Sequence, residues 1–320
     1  MVDRPNKPTA LATTPGLPPQ PQVNFSPDNA RVSASLPTGE SVSVLLYGAT
    51  VISWKDRAGG EKLWVSDAAK LDGSKAVRGG IPLVFPVFGT APDHAATSKL
   101  PQHGFARNSR WEFLGKSTSE SSGPSDASVK LDFGLSSATL DDKTKALWPY
   151  GFNLIYSVTL SQDGLGTSIV ITNDGSEAFE AQVLLHTYLR VKDITKIEVT
   201  GLENSAYVDK VDAAKAKTQS GGIAITGETD RVYTPATDPT VPVVVREKGS
   251  EDEEGIFTVV RDGLKDVVVW NPWVDKAAGM ADFEPNDGYK NMLCVEAGSV
   301  RGWQKLEPGE AFEGGQTIEY

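Results

Sequence analysis

Short runs of alternating apolar and polar residues, each closed by glycine, proline or an Asn/Asp turn, recur along this chain and constrain its fold more than any other feature. Val42, Val44 and Leu46 alternate with Ser41, Ser43 and Leu45, and Tyr47-Gly48-Ala49 then turns the chain into Val51-Ile52-Ser53-Trp54. A period of two puts the apolar side chains on one face of a strand. Further runs are Lys62–Val65, Trp111–Leu114, Ser128–Phe133, Leu154–Leu160, Ser168–Thr172 and Glu180–Arg190. Val241–Val245, Ile256–Val260, Val267–Trp270, Met292–Val295 and Phe312–Ile318 follow, with turns such as Asp163-Gly164 and Asn173-Asp174-Gly175 between runs. Helical spacing is confined to Val211–Lys217 and the region near Ala277–Ala281, where short helices are expected. The expected fold is therefore all-β, a large antiparallel β-sandwich with few short helices. No repeat of 20–50 residues is visible, which argues against a propeller or solenoid.

Chains of this length often form one domain when they are all-β. Residues 1–22 carry six prolines and almost no large apolar residue, so they are expected to be a disordered leader to a single sandwich domain spanning 23–320. Two polar stretches, Ser117–Asp126 and Arg246–Glu254, are expected to be exposed loops. The run Glu251-Asp252-Glu253-Glu254 lacks the glycine and spaced oxygens of a calcium loop and reads as a solvated hairpin tip.

A net charge of −11 argues against nucleic acid or an anionic membrane surface as partner. No apolar run is long enough to span a bilayer, and Met1–Pro5 lacks the apolar core of a secretory signal, so a cytoplasmic protein is expected. Cys294 is the only cysteine, which removes disulfides and Cys-x-x-Cys metal motifs; His94 and His103 match no metal spacing. No metal and no cofactor is expected, since nucleotide, dinucleotide and Gly-x-Ser-x-Gly motifs are also missing.

What remains is acid–base chemistry, and histidine is scarce: His94, His103 and His186 are the three choices. Leu100-Pro101-Gln102-His103-Gly104-Phe105-Ala106-Arg107 packs an amide, an imidazole and a guanidinium beside a glycine, a set suited to a polyhydroxylated anion or to an ordinary polar turn. His186 shares a strand face with Leu184 and Tyr188, which places it either in the core or on a cleft floor. Glu296 closes the apolar run Met292–Val295; buried, its pKa would rise into a general base's range, and at a strand end it would simply meet solvent. Arg78-Gly79-Gly80 offers a cation before a flexible turn, which matters only if Arg107 converges on it.

Four segments in register resemble one family. They are Lys75-Ala76-Val77-Arg78-Gly79-Gly80-Ile81-Pro82 with Phe88-Gly89; Pro101-Gln102-His103-Gly104-Phe105-Ala106-Arg107-Asn108; His186-Thr187-Tyr188; and Val269-Trp270-Asn271-Pro272-Trp273 leading to Cys294-Val295-Glu296. Over roughly residues 40–320 the chain resembles the glucose-6-phosphate 1-epimerases, or hexose-6-phosphate mutarotases, of the galactose-mutarotase-like superfamily. The resemblance implies a cofactor-independent enzyme, expected to be a monomer, that interconverts the α and β anomers of a small-molecule hexose 6-phosphate. It also implies His186 as general acid, Glu296 as general base, Arg78 and Arg107 on the phosphate, and Gln102 and His103 on the sugar. Asp230, in Gly227-Glu228-Thr229-Asp230-Arg231, matches a carboxylate for sugar hydroxyls, although an exposed turn Asp would look the same. Val84-Phe85-Pro86-Val87 departs from the more polar run the family leads one to expect and puts details of the cleft wall in question. Two other functions fit the same segments: an aldose 1-epimerase of free sugars, and a sugar-phosphate binder without catalysis.

Overall fold

Alternation becomes antiparallel sheet wherever turn residues let successive runs fold back. The computed structural model describes residues 19–119, 127–249 and 255–320. A four-stranded meander comes first: β1 (Gln22–Phe25), β2 (Arg31–Ser35), β3 (Ser41–Leu45) and β4 (Val51–Lys55). Numbered in chain order, an eight-stranded sheet holds β5 (Leu83–Val84), β10 (Phe179–Leu185), β11 (Tyr188–Arg190), β13 (Ala206–Asp209), β14 (Lys215–Thr218), β16 (Thr229–Thr234), β19 (Asp266–Asn271) and β20 (Met292–Leu306). Its spatial order is β14-β13-β16-β19-β20-β10-β5, with β11 also paired to β20. A nine-stranded sheet is formed by β6 (Glu112–Thr118), β7 (Val129–Ser136), β8 (Phe152–Leu160), β9 (Gly164–Asn173), β12 (Ile197–Thr200), β15 (Ile223–Ala224), β17 (Val243–Glu247), β18 (Phe257–Asp262) and β21 (Ala311–Glu319). The helices are short, α1 (Asp142–Leu147) and α2 (Trp273–Gly279), and among the described residues none is long and apolar enough to cross a membrane.

The two large sheets close on one core. Phe152, Leu154, Tyr156, Val158 and Leu160 of β8 all point inward, against Val183 and Leu185 of β10, Val267 and Val269 of β19 and Val295 and Ala297 of β20. Fully burying each large apolar side chain contributes about 1.5–3 kcal/mol. The alternate residues of the eight-stranded sheet face the other way. Leu184, Val268, Trp270 and Cys294 join Tyr188, Trp64, Phe283 and Tyr289 in a second apolar layer. The central strands are therefore buried on both faces, and any polar residue on the second face lies under cover. This layer carries the functional candidates.

Several expected elements differ from those observed. The run Glu180–Arg190 is broken at His186-Thr187, whose flanking amides turn to another partner: His186 N–H donates to the Pro82 carbonyl at 3.0 Å and Tyr188 N–H to Gly80 at 2.9 Å. Lys62–Val65 makes only isolated bridges, through Leu63 to Leu189 and Val65 to Gly79. Val211–Lys217 is no helix. Ala213 and Ala214 adopt φ of 50° and 56°, outside the right-handed helical region, and the Asp209 carboxylate accepts from the Val211 and Asp212 N–H groups in a tight turn that leads into β14. The other expected helix is present as α2. Met292–Val295 extends to Leu306, so Glu296 lies inside β20 and closes nothing. Ser117 and Thr118 belong to β6, Arg246 and Glu247 to β17, and Gln22 to β1; residues 120–126, 250–254 and 1–18 of the expected loops and leader lie outside the described residues.

Gln182 fixes the segment that leads into the functional face. Its buried amide accepts from Phe88 N–H at 2.9 Å and donates to the Val300 and Gly302 carbonyls, each at 2.9 Å. Gln182→Leu keeps the volume and strips these partners, so the urea midpoint should fall by an amount equivalent to about 1–3 kcal/mol. An unchanged midpoint would show that the Phe88 segment is held by other contacts.

Candidate active site

Alternation along β20 puts Val295 and Ala297 into the inter-sheet core and leaves Glu296 on the opposite face. The break between β10 and β11 brings His186 over it. His186 Nδ1 stands 3.4 Å from Glu296 Oε1, without the angle of a hydrogen bond, and neither His186 Nδ1 nor Glu296 Oε2 has a hydrogen-bond partner among the described residues. His186 is 8% exposed and Glu296 1%. The imidazole stacks on the Tyr188 ring at 4.6 Å with 9° between planes, which fixes its tilt.

Burial acts on both groups in the same sense, toward the uncharged form. It pushes the Glu296 carboxyl well above the usual range, and Asp230 adds to the rise. It pulls the His186 imidazole well below its ordinary value, helped by His103, Arg107 and Arg78. Burial therefore biases both groups of the ligand-free pair toward neutral imidazole and carboxylic acid.

The Pro101–Arg107 segment reaches the same place through a left-handed turn. His103 and Gly104 have φ of 67° and 71°. His103 N–H donates to the Gly89 carbonyl at 2.8 Å, and its Nδ1 accepts from Gly89 N–H at 3.1 Å. Burial, followed by Arg107 and Lys210, pushes its pKa down to about 3. With Nδ1 accepting, the proton of this neutral ring sits on Nε2, a donor beside the Gln102 amide 3.5 Å away.

Each arginine is held by partners of its own. Arg78 donates to the Tyr188 hydroxyl at 3.2 Å and meets Asp282 at 3.1 Å; Tyr188 first, then Asp282, holds its pKa above the ordinary value against desolvation. Arg107 donates to the Gln102 carbonyl at 3.0 Å and keeps a buried Nε with no partner among the described residues. Desolvation and then neighbours including Tyr188, Arg78 and Asp282 set its pKa, so the two guanidiniums share one electrostatic neighbourhood.

A cleft of about 320 Å³ joins these groups, lined by Arg78, Gln102, His103, His186, Asp230 and Glu296 among others, a size that suits a small molecule. Arg107 stands beside this lining and is not part of it. Asp230 lies on β16, where burial raises its pKa, and is no turn residue. Sequence reasoning missed Lys210, whose ammonium sits 4.0 Å over the Phe88 ring, and Lys276, paired with Glu228 at 2.8 Å. It also missed Asp282, the partner of Arg78. None lies in a motif, so no local signal marked them. Val84, Phe85, Pro86 and Val87 are all buried, so the departure there alters packing under the cleft, not its polar wall. Larger hollows of about 480 and 670 Å³ elsewhere on the surface contain no His-carboxylate pair.

A Cβ at Gly104 would lie 2.1 Å from the Phe85 carbonyl oxygen. Gly104→Ala should therefore lower the melting temperature by more than the left-handed penalty alone, about 1–2 kcal/mol, would produce. Gly221→Ala, where a Cβ meets nothing within 4 Å, is the control expected to change little. Equal melting of the two variants would contradict the close approach.

Comparison with known proteins gives the family. The family model described as aldose 1-epimerase matches residues 31–319. A protein of Cenchrus ciliaris, provisionally named a glucose-6-phosphate 1-epimerase, is 36% identical over 85% of this chain and 78% of its own length. One of Escherichia coli K12 with the same provisional name is 35% identical over 86% and 85%. A crystal structure of a Salmonella typhimurium protein, described provisionally as a mutarotase, superposes with a TM-score of 0.74 at 29% identity, covering 90% of this chain and 89% of that one. The chain belongs to the aldose 1-epimerase family.

Proposed function

We propose that the cleft interconverts the α and β anomers of a hexose 6-phosphate, glucose 6-phosphate foremost, by general acid–base ring opening and closure. The observation that carries the reaction is the buried, partner-free approach of His186 and Glu296 at 3.4 Å, which holds one acid and one base side by side. The two relatives' names point to the phosphorylated sugar, and the pairing of Arg78 with Arg107 supplies the charge to hold it.

Glu296 as carboxylate takes the proton from the anomeric hydroxyl while His186 as imidazolium gives one to the ring oxygen. The C1–O5 bond breaks and the open-chain aldehyde forms. Rotation about C1–C2 turns the other carbonyl face toward O5, and re-closure with the roles exchanged yields the second anomer. No electrons leave the sugar. Each proton transfer contributes about 10²–10⁴-fold.

The resting pair must first place its proton on the imidazole, and the phosphate assists. Arg78 and Arg107 are among the charges that depress the His186 pKa. A dianion bound to them cancels that field, so His186 gains proton affinity when substrate is in place. His103 Nε2–H and the Gln102 amide then donate to sugar hydroxyls, and Asp230 accepts from them. This reading treats the phosphate as part of the acid–base machinery as well as a handle.

Anomer exchange followed by NMR tests each part. His186→Asn and Glu296→Gln are nearly isosteric and remove proton transfer, so each should lose more than about 10²-fold in turnover at saturating substrate while keeping the fold. Near-normal turnover in either variant sinks the assigned mechanism.

Arg78→Ala and Arg107→Ala each lose charge-assisted hydrogen bonds worth about 1.5–3 kcal/mol, a drop of about tenfold to somewhat over a hundredfold in kcat/KM for glucose 6-phosphate. Free glucose should barely respond. Equal losses on both sugars would assign the arginines to the ring or the fold and favour an epimerase of free aldoses.

A further inference from the structure

The second face of β20 carries one more chemically capable side chain beside the acid–base pair. Cys294 precedes Glu296 by two residues, so strand alternation turns both side chains to the same side, and His186 descends onto them from the β10–β11 break. One donor atom from each of His186, Cys294 and Glu296 lies within 4.8 Å of the others, and all three residues are buried. The thiol is fully buried and stands outside the polar lining of the cleft. Two of the three residues, His186 through Nδ1 and Glu296 through Oε2, present buried atoms that no group among the described residues satisfies.

We infer that His186, Cys294 and Glu296 form an inhibitory site for a thiophilic divalent cation, Zn²⁺ fitting best. A tetrahedral ion with bonds of about 2.0–2.1 Å to nitrogen and oxygen separates those two ligands by about 3.3–3.4 Å. The observed His186 Nδ1–Glu296 Oε1 separation is 3.4 Å, already at that spacing. The sulfur needs only a small side-chain movement to complete the third edge.

Imidazole, thiolate and carboxylate are ligands for Zn²⁺, Cd²⁺ and Co²⁺; Mg²⁺ and Ca²⁺ require oxygen cages that this trio does not offer. Binding displaces one proton from the thiol and one from the carboxyl to solvent. The dication then meets two anionic ligands, and the cluster is neutral, as a buried site requires. The fourth position opens toward the cleft. No group is oxidised or reduced, so removing the ion restores the protein. Occupancy ties up both reacting groups and stops turnover, a consequence that rests on the function proposed above. The occupancy itself does not.

The experiment uses the full chain stripped of metal by a chelator. Co²⁺ is added first and read by absorption, where a thiolate-to-cobalt charge-transfer band in the near ultraviolet reports sulfur ligation without reference to activity. Wild type should develop that band, and Cys294→Ala and Cys294→Ser should not. In anomer exchange of glucose 6-phosphate, micromolar Zn²⁺ should stop wild type, EDTA should restore it, and Mg²⁺ should have no effect. The two Cys294 variants should turn over normally without metal and need at least about 100-fold more Zn²⁺ for the same inhibition, since loss of an outer-shell partner alone costs about 10–100-fold.

Lack of the cobalt band in wild type overturns the site. So does equal zinc sensitivity in wild type and in both variants. If instead the band forms but zinc leaves turnover intact, the site stands and the acid–base assignment to His186 and Glu296 fails.

Discussion

Burial of a carboxyl group in the middle of a sheet is the constraint on which this molecule depends. Glu296 sits in β20 between Val295 and Ala297, both committed to the inter-sheet core, so its side chain has no route to bulk solvent except through the cleft. An ionised carboxylate there would be strongly penalised. Burial favours the uncharged form of Glu296 and of the His186 imidazole beside it, so neither group carries an uncompensated charge into the interior, and the function proposed above uses the two as acid and base. Everything else around the cleft either fixes the two groups or adjusts their charge.

Rigidity comes from turns that leave little freedom. Gly80 and Gly104 let the backbone pass so near the Val51 and Phe85 carbonyls that a side chain at either position would collide, with a Cβ at 2.0 and 2.1 Å respectively. These two approaches aim Arg78 and the His103–Arg107 segment at one end of the sheet. Tyr188 links the halves, stacking on His186 with its ring and accepting from Arg78 with its hydroxyl. One aromatic residue thus ties the Arg78 guanidinium to the imidazole.

Charge is distributed on two scales. The whole chain is strongly acidic, yet Arg78, Arg107, Lys210 and Lys276 gather around the cleft with Asp230, Asp282, Glu228 and Glu296. Overall charge speaks to solubility and long-range fields, while a handful of desolvated groups decides what the pocket holds. Arg107 and Arg78 also add to the lowering of the His186 pKa that burial begins, so on the function proposed above a ligand's charge reaches the acid–base pair without touching it.

The alternating runs were enough to fix the fold class, because a period of two with frequent turn residues has no helical solution; β3, β4, β8 and β9 sit where that pattern put them. The chemistry-bearing types were legible too, since three histidines and one cysteine leave few choices. Tertiary structure decided the rest. The break at His186-Thr187 arises because the Pro82 and Gly80 carbonyls, about a hundred residues away, capture amides that an uninterrupted strand would have used. Val211–Lys217 is no helix because Ala213 and Ala214 turn left-handed and Lys215–Thr218 pairs back onto β13. Lys210 reaches the cleft and Asp282 reaches Arg78 from turn segments with no motif, placed there by the tertiary fold. Local pattern dictates which face of a strand a residue takes, but not whether a second layer will cover that face. That covering layer, built here from Trp64, Tyr188, Trp270 and Phe283, turns a strand glutamate into a buried acid.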